Sequence, residues 1–329
     1  MTLSFSATIE NPHMTPITSL GLVPSMSAPT VDFKIPVPKY SSLDAYWEEA
    51  PRQRYAERGT VVLLGRHAQS FGNAQEIYQG DFYSPVTPAG FKQADAQADL
   101  LRRFEIGAKI YCSDTLRVVQ SVTRVVERLG LSAELYKIPD LREVHPGILD
   151  ARFKKRNSRE IEFFLKRMKD KVVRDDYRKE MALTDDELDL ILQQMESGQY
   201  HFRQYGELAG LSEDAYREEL RRQGKRSVDF SQPNGVSYRT AYDVHAARLD
   251  ETIFSRLGNG IHFVNGHGLK NRIIMLKLLG IPLVGHEQLF SFRQENACLN
   301  VLWRSEAGWE LHVLNESPGI VGSDGFAEL

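Results

Sequence analysis

Four short stretches of this 329-residue chain end an apolar run with side chains able to hold or transfer a charged group. Val61, Val62, Leu63 and Leu64 stop at Gly65 and are followed at once by Arg66 and His67, with Ser70 and Asn73 just beyond. The run KIYC (109–112) leads into Ser113 and Asp114, with Arg117 about one helical turn further on. LRE supplies Arg142 and Glu143, and IHFVN (261–265) runs into Gly266, His267 and Gly268. Two guanidinium forks can grip phosphate oxygens bidentately, a planar match that the point charge of lysine lacks. One imidazole, neutral on its attacking nitrogen, can take up a phosphoryl group, while the other donates to the equatorial oxygens where transition-state charge spreads. A carboxyl group can protonate the leaving alkoxide and then deprotonate a water. The set suits phosphoryl transfer without cofactor or metal, and the sequence holds neither a paired HxxxH nor a carboxylate cluster with metal-ligand spacing.

Short apolar runs alternating with helical periodicity must position these residues, a pattern that predicts a sheet covered by helices. Strands are expected at 60–64, 108–112, 133–138, 261–265, about 299–304 and 309–314, the last two as a hairpin turning at EAG. Helices are expected at about 88–104, where Pro88 suits a first turn, and at 115–129, 237–257 and 268–279, with Gly130 and Gly280 as stops. In open α/β sheets ligands bind beyond the carboxyl ends of the strands, where the polar residues above converge. The expected fold class is a three-layer α/β/α sandwich around a mostly parallel sheet, formed by 59–150 and 231–316.

Between these halves, 151–230 is charged, without strand character, and reads as a helical insertion serving as a lid. Ile161, Phe164, Leu165, Met168 and Val172 share one helical face, Thr184 and Glu187 make a capping box, and Ser212 caps a helix ending near Gly224. Prolines at 12, 16, 24, 29, 36 and 38 make 1–58 an extended N-terminal arm, and 317–329 is a tail.

A net charge of −3 gives no general attraction to nucleic acid or anionic lipid, so any anion must be held by a local cluster. Cys112 and Cys298 are too few for a disulfide framework and read as buried thiols. The N-terminus lacks a basic region followed by an apolar core, and no segment is long and apolar enough to span a bilayer. A cytoplasmic protein is expected, whose partner is a small phosphorylated molecule rather than nucleic acid or membrane, with a homodimer left open.

RHAQSFGN resembles the RHG motif of the histidine phosphatase superfamily (phosphoglycerate mutase-like, branch 1), and further segments follow in that family's order. SPVTPAGFKQA, YCSDTLRVVQSV, LREVHPG and VNGHGLKNRIIMLKLLGIP are similar to its "LTxxGxxQA", "SxxxRxxQTA", "LREixxG" and "VsHGgxirxllxxllg" segments, over about 60–150 and 232–315. The resemblance implies a phosphohistidine nucleophile at His67, phosphoryl binding by Arg66, Asn73, Arg117 and His267, and proton donation by Glu143. Ser70, Ser113 and the backbone N–H of Gly268 stand second to these. Ala68 replaces a common glycine, Gln69 a frequent glutamate, and QPNGVS a usual GES turn that would put a carboxylate at Val236.

Each residue has a plainer reading. His67 or His267 alone could be structural, Arg66 a salt-bridge former, Arg117 a surface arginine, and Glu143 the partner of Arg142. Cys112 reads as a core residue, and the remaining histidines as structural or surface groups. The implied function is a metal-independent phosphatase acting on a small phosphate monoester. The alternatives are a phosphoglycerate-type mutase, a lyase or transferase, or a non-catalytic binding protein on the same fold. The insertion lacks the proline-rich tract of such mutases, since 151–230 contains no proline. Arg152, Lys154, Lys155 and Arg156 could meet a second acidic group, although a solvated basic turn is the simpler reading.

Overall fold

The first strand, β1 (Thr60–Arg66), is buried along its whole length, and its side chains alternate between two cores. Val61 and Leu63 pack with Ile110, Cys112, Phe263, Leu299 and Val301, whereas Val62 and Leu64 pack with Val264, Leu302 and Leu311. A strand covered on both faces needs a continuous apolar run, which explains TVVLL. These features come from a computed structural model that describes residues 33–49, 59–156 and 158–318.

Five further strands complete the sheet: β2 (Ile106–Cys112), β3 (Glu134–Lys137), β4 (Gly260–Gly266), β5 (Leu299–Ser305) and β6 (Gly308–Glu316). Their order is β3-β2-β4-β1-β5-β6. β4 lies parallel to both β1 and β2, and β3 is parallel to β2, so β1, β2 and β4 end on the same edge. β5 runs antiparallel to β1 and to β6, forming the expected hairpin with Ser305 opposite Gly308. The sheet is therefore mixed, with helices on both faces.

Within the stretch read as an extended arm, the described part is not extended throughout: α1 (Leu43–Glu49) is a helix. Leu43 and Tyr46 enter the core beside Phe104 and Val313, and the backbone N–H groups of Lys39 and Tyr40 donate to Leu311 and His312 of β6. No proline falls between Pro38 and Pro51, so the sequence offered a helix signal at this apolar pair that the composition of 1–58 masked. Residues 1–32, 50–58 and 319–329 lie outside the description, and with them most of the arm and the tail.

On the same face, α2 (Pro88–Leu101) and α3 (Leu116–Leu129) cover the sheet, the latter closed by Gly130 in the left-handed region at φ 66°. The insertion contains α4 (Ser158–Arg167), α5 (Lys171–Glu180), α6 (Asp185–Leu208) and α7 (Glu213–Arg226), with the Thr184 and Glu187 capping box and the Ser212 cap in place. It has an apolar centre of its own, in which Phe71, Phe153, Ile161, Phe164, Leu188 and Ile191 meet. After it, the stretch 238–252 includes a π-helical segment at Ala241–Ala246. It breaks at Ile253, earlier than the expected end at 257, and a 3₁₀ turn follows at Phe254–Arg256. Arg304 on β5 holds the carbonyls of Phe254 and Leu257, in and just after that turn. The last major helix, α8 (Gly268–Leu278), starts directly from β4. No described helix is long and apolar enough to cross a membrane.

The start of α2 is fastened to the chain two residues after His67. Thr87 Oγ1 accepts from Gly90 N at 3.0 Å and donates to Gln69 Oε1 at 2.8 Å, and Thr87 N donates to Gln69 O at 3.0 Å. A Cβ on Gly90 would lie 2.1 Å from Gln69 O. Alanine inside a helix ordinarily gains about 1 kcal/mol over glycine, but here overpacking reverses the sign. Gly90→Ala should therefore lose about 2 kcal/mol in urea unfolding, and unchanged or higher stability would contradict this packing.

Candidate functional site

Where β1 runs out, three buried side-chain amides secure its carbonyls. Asn300 Nδ2 donates to Leu64 O at 2.9 Å, Asn271 Nδ2 to Gly65 O at 2.9 Å, and Gln97 Nε2 to Arg66 O at 3.2 Å. Backbone bonds then hold His67 on both sides, its N–H on Gly266 O and its carbonyl under Ala297 N, each at 3.1 Å. The next residue is fixed from α3, because Ala68 N donates to Ser121 Oγ at 3.0 Å while Ser121 Oγ donates to Arg117 O at 2.7 Å. Ala68 is fully buried in the core beside α2 and α3, so the methyl group that departs from the family pattern is packed.

The His67 ring is 3% exposed and its Nδ1 lies 2.7 Å from Ala68 O. A carbonyl can only accept, so Nδ1 carries the proton and a neutral ring has its lone pair on Nε2. Burial, then the charges of Arg66 and Arg117, hold this imidazole well below the ordinary value of 6.5. His267 stands edge-on to it, ring centroids 5.1 Å apart, and is shifted the same way by burial, Arg117 and His67. Its Nε2 meets Ser113 Oγ at 3.0 Å and Thr115 Oγ1 at 3.3 Å, while Nδ1 is buried with no hydrogen-bond partner among the described residues.

Both arginines are buried. Arg66 Nη1 donates to Gln294 O at 2.5 Å, and its guanidinium lies over Gly268, where a Cβ would come within 3.2 Å of Nε. Arg117 Nη2 donates to Gly80 O at 3.1 Å and Gln79 O at 3.3 Å, and its buried Nε has no hydrogen-bond partner among the described residues. Burial pushes Arg117 down to about 10, so it remains a cation at neutral pH.

Glu143 does not pair with Arg142, which binds Asp114 through Nε and Nη2, both at 2.7 Å. Its carboxylate instead caps α8, accepting Lys270 N at 2.9 Å and Leu269 N at 3.2 Å, as well as Val144 N at 2.9 Å. It supplies acceptors for N–H groups that the first turn of a helix leaves unpaired. Ser70 and Asn73 cap the one-turn helix Phe71–Ala74 together. Asn73 Oδ1 accepts from Ser70 N at 3.2 Å, which leaves its NH₂ as the donor end. The Ser70 hydroxyl lies 3.0 Å from Asn73 Oδ1 and 2.8 Å from Gln79 Oε1.

In the basic run 152–156, the Lys154 pKa is lowered by burial and Arg66 and raised by Glu143 and Glu76, and the ammonium lies 5.7 Å from the Tyr78 ring centroid. Lys155 pairs with Glu76 at 2.7 Å, and the Arg156 guanidinium lies 4.1 Å from the Phe153 ring centroid. Arg152 is neither solvated nor at the cluster, being 2% exposed against Phe202. Two residues unassigned from sequence join instead: Arg272, whose Nε donates to Phe292 O at 3.0 Å, and Tyr238, whose hydroxyl pKa burial raises near Tyr78 and Glu143. The bracing amides were also missed. Gln93 and Gln97, buried on the otherwise apolar face of α2 with Ala94, Ala98 and Leu101, were the readable sign, since a buried amide demands a partner.

The arrangement is a buried cluster of two imidazoles, N–H donors and positive charge, joined by one carboxylate. Such donors attract an oxyanion and repel a metal cation.

The family model for the histidine phosphatase superfamily (branch 1) matches residues 62–180 and 202–317. A metal-independent phosphoserine phosphatase of Arabidopsis thaliana is 32% identical over 90 residues, 27% of this chain and 37% of that protein. A "Probable phosphoglycerate mutase GpmB" of Yersinia pestis is 34% identical over 91 residues, 28% of this chain and 41% of that protein. This chain thus aligns with about two fifths of the length of these relatives. YhfR of Bacillus stearothermophilus superposes with a TM-score of 0.54 at 17% identity, covering 80% of this chain and all (100%) of its own. The alpha-ribazole phosphatase of Shigella flexneri gives 0.50 at 16% identity, covering 78% and 96%. At such identities the structures establish the fold.

Lowering a histidine pKa favours the neutral ring, so both site imidazoles should stay neutral as pH falls through 6.5. NMR titration of His67 should give a midpoint below 6.5, and Arg117→Met should move it upward by removing a nearby cation. A midpoint at or above 6.5 in the unaltered protein would contradict the geometry.

Proposed function

The chain belongs to the histidine phosphatase superfamily (branch 1), and from that premise we propose that it is a metal-independent phosphatase of a small phosphate monoester. The observation that carries the reading is the Ala68 carbonyl on His67 Nδ1, which directs the lone pair to Nε2. In the proposed first step Nε2 attacks phosphorus, the bond to the ester oxygen breaks, and the carboxylic acid of Glu143 gives its proton to the departing alkoxide. In the second, the Glu143 carboxylate takes a proton from water, the hydroxide attacks phosphorus, and the N–P bond breaks. His67 returns to its neutral form with the proton still on Nδ1. The positive charge of the phosphorylated ring is met by the Ala68 carbonyl.

Arg66, Arg117, His267 Nδ1, the Asn73 amide and the Gly268 N–H are assigned to the phosphoryl oxygens. Support comes from the burial of both guanidinium groups and from the unpartnered Arg117 Nε and His267 Nδ1. Low-dielectric surroundings strengthen each such contact with developing charge. Lys154 and Arg272, grouped with Arg66 and Glu143, favour a substrate carrying a further acidic group beyond the ester.

A mutase is the second reading. It is favoured by the near-complete burial of His67, which would protect a phosphoenzyme from water. A panel of phosphorylated metabolites distinguishes them, because the phosphatase releases inorganic phosphate whereas the mutase returns the phosphoryl group to a second hydroxyl.

On the best substrate, His67→Ala should lower kcat by at least about 10³-fold and Glu143→Gln by about 10²- to 10⁴-fold. Phosphate release by His67→Ala at the unaltered rate would overturn the assignment. The preferred substrate should carry a second carboxylate or phosphate, and Arg272→Met should raise its KM more than that of a simple aryl phosphate.

A further inference from the structure

Away from the pocket just described, the insertion holds two buried arginines that the proposed reaction does not use. Arg152 follows the 3₁₀ turn Gly147–Leu149 and is 2% exposed, while Arg217 on α7 is 6% exposed. Both lie against the ring of Phe202, with guanidinium carbons 3.8 Å and 6.0 Å from its centroid. Arg152 Nη1 donates to Gln199 Oε1 at 2.6 Å, and Arg217 Nη1 donates to Arg156 O. The remaining buried donors are Arg152 Nε and Nη2 and Arg217 Nη2, none with a hydrogen-bond partner among the described residues.

Nε and Nη2 form one side of the planar guanidinium, and their two N–H bonds point the same way. Elsewhere in this chain that same side grips a carboxylate in two-pronged fashion, Arg124 on Asp95 at 2.7 and 2.8 Å and Arg142 on Asp114 at 2.7 Å twice. At Arg152 it faces no acid: neither Arg152 nor Arg217 forms an ion pair among the described residues. Glu213 and Asp214 act on both arginines without forming an ion pair with either, and the Glu213 oxygens accept from Gln199 Nε2 at 2.8 Å and Arg203 Nε at 2.9 Å. Two like charges buried together, with three donors unused, are costly unless an anion joins them.

We propose that Arg152 and Arg217 form a second oxyanion site inside the insertion, separate from the pocket around His67. Arg152 offers the two-pronged edge and Arg217 a third donor, which suits a phosphate, a sulfate, or the acidic end of a larger molecule. The site adjoins the catalytic candidate through one ladder of backbone. Tyr78 N donates to Arg152 O at 2.8 Å and Ala151 N to Tyr78 O at 3.1 Å, and the two residues after Tyr78 supply the carbonyls that hold Arg117. The assignment does not depend on the phosphatase reading, because it makes no use of His67 or Glu143.

Equilibrium dialysis of the full chain against radiolabelled inorganic phosphate tests it. The unaltered protein should bind two phosphates per chain, and Arg152→Met and Arg117→Met one each, in different pockets. Arg152→Met removes a buried charge and should not lower the melting temperature. Should that variant fail to fold, Arg217→Met and a selenate-soaked crystal of the unaltered protein give the same test, with selenium expected beside Arg152 Nε and Nη2. A single phosphate per chain, undiminished by Arg152→Met or Arg217→Met, or selenium only beside His67, overturns the proposal. Displacement of both phosphates by one bisphosphate molecule assigns the site to the far end of a ligand reacting at His67, and a need for two molecules assigns it to a free oxyanion; either outcome supports an anion site.

Discussion

A single hydrogen bond, from His67 Nδ1 to the carbonyl of the next residue, sets what the pocket can do. It decides which ring nitrogen keeps its lone pair for the proposed attack, and the backbone on both sides of His67 is held in place to make it. Gly266 and Ala297 hold the His67 peptide groups, and Ser121 holds Ala68 N. Behind these stand Asn271, Asn300 and Gln97, whose amides bind the carbonyls at the end of β1. The chemistry thus rests on polar groups placed within an apolar fold, where a satisfied buried network imposes one geometry and a broken one is costly.

Electrostatics follow from the same enclosure. Burial lowers the pKa of His67 and His267 and keeps both rings neutral, while Arg66 and Arg117 stay charged in the same low-dielectric space. The result is a cationic cluster around two uncharged imidazoles, which suits the proposed attack on a doubly negative phosphate ester. Glu143 is placed by a different device. Its carboxylate stands in for an N-terminal cap of α8, so the helix that displays the Gly268 N–H also fixes where that carboxylate sits. The insertion buries cations too, Arg152 and Arg217 against Phe202.

Much of this was legible in the sequence because strand ends and chemistry coincide. TVVLLGRH, KIYCSD and IHFVNGHG each show a buried strand stopping where polar residues begin, and the parallel arrangement of β1, β2 and β4 brings those ends together. What escaped were contacts whose partners lie far apart in the chain. Arg142 chose Asp114 over its neighbour Glu143, and Arg304 binds carbonyls some fifty residues upstream. Arg152 looked like part of a solvated basic turn, since neither the turn before it nor α6 reveals locally that Phe202 and Gln199 enclose it. Sequence periodicity reports which face of an element is apolar; it does not report which polar residue closes on which.

The most direct test of the central claim is to identify the phosphorylated atom. A monoester labelled in its phosphoryl group should be mixed with the protein, quenched in alkali within the first turnover, and the labelled residue isolated. The account predicts an acid-labile phosphoryl group on His67, carried by Nε2. Label on Nδ1 or on another residue, or phosphate release with no covalent intermediate formed at any stage, would contradict it.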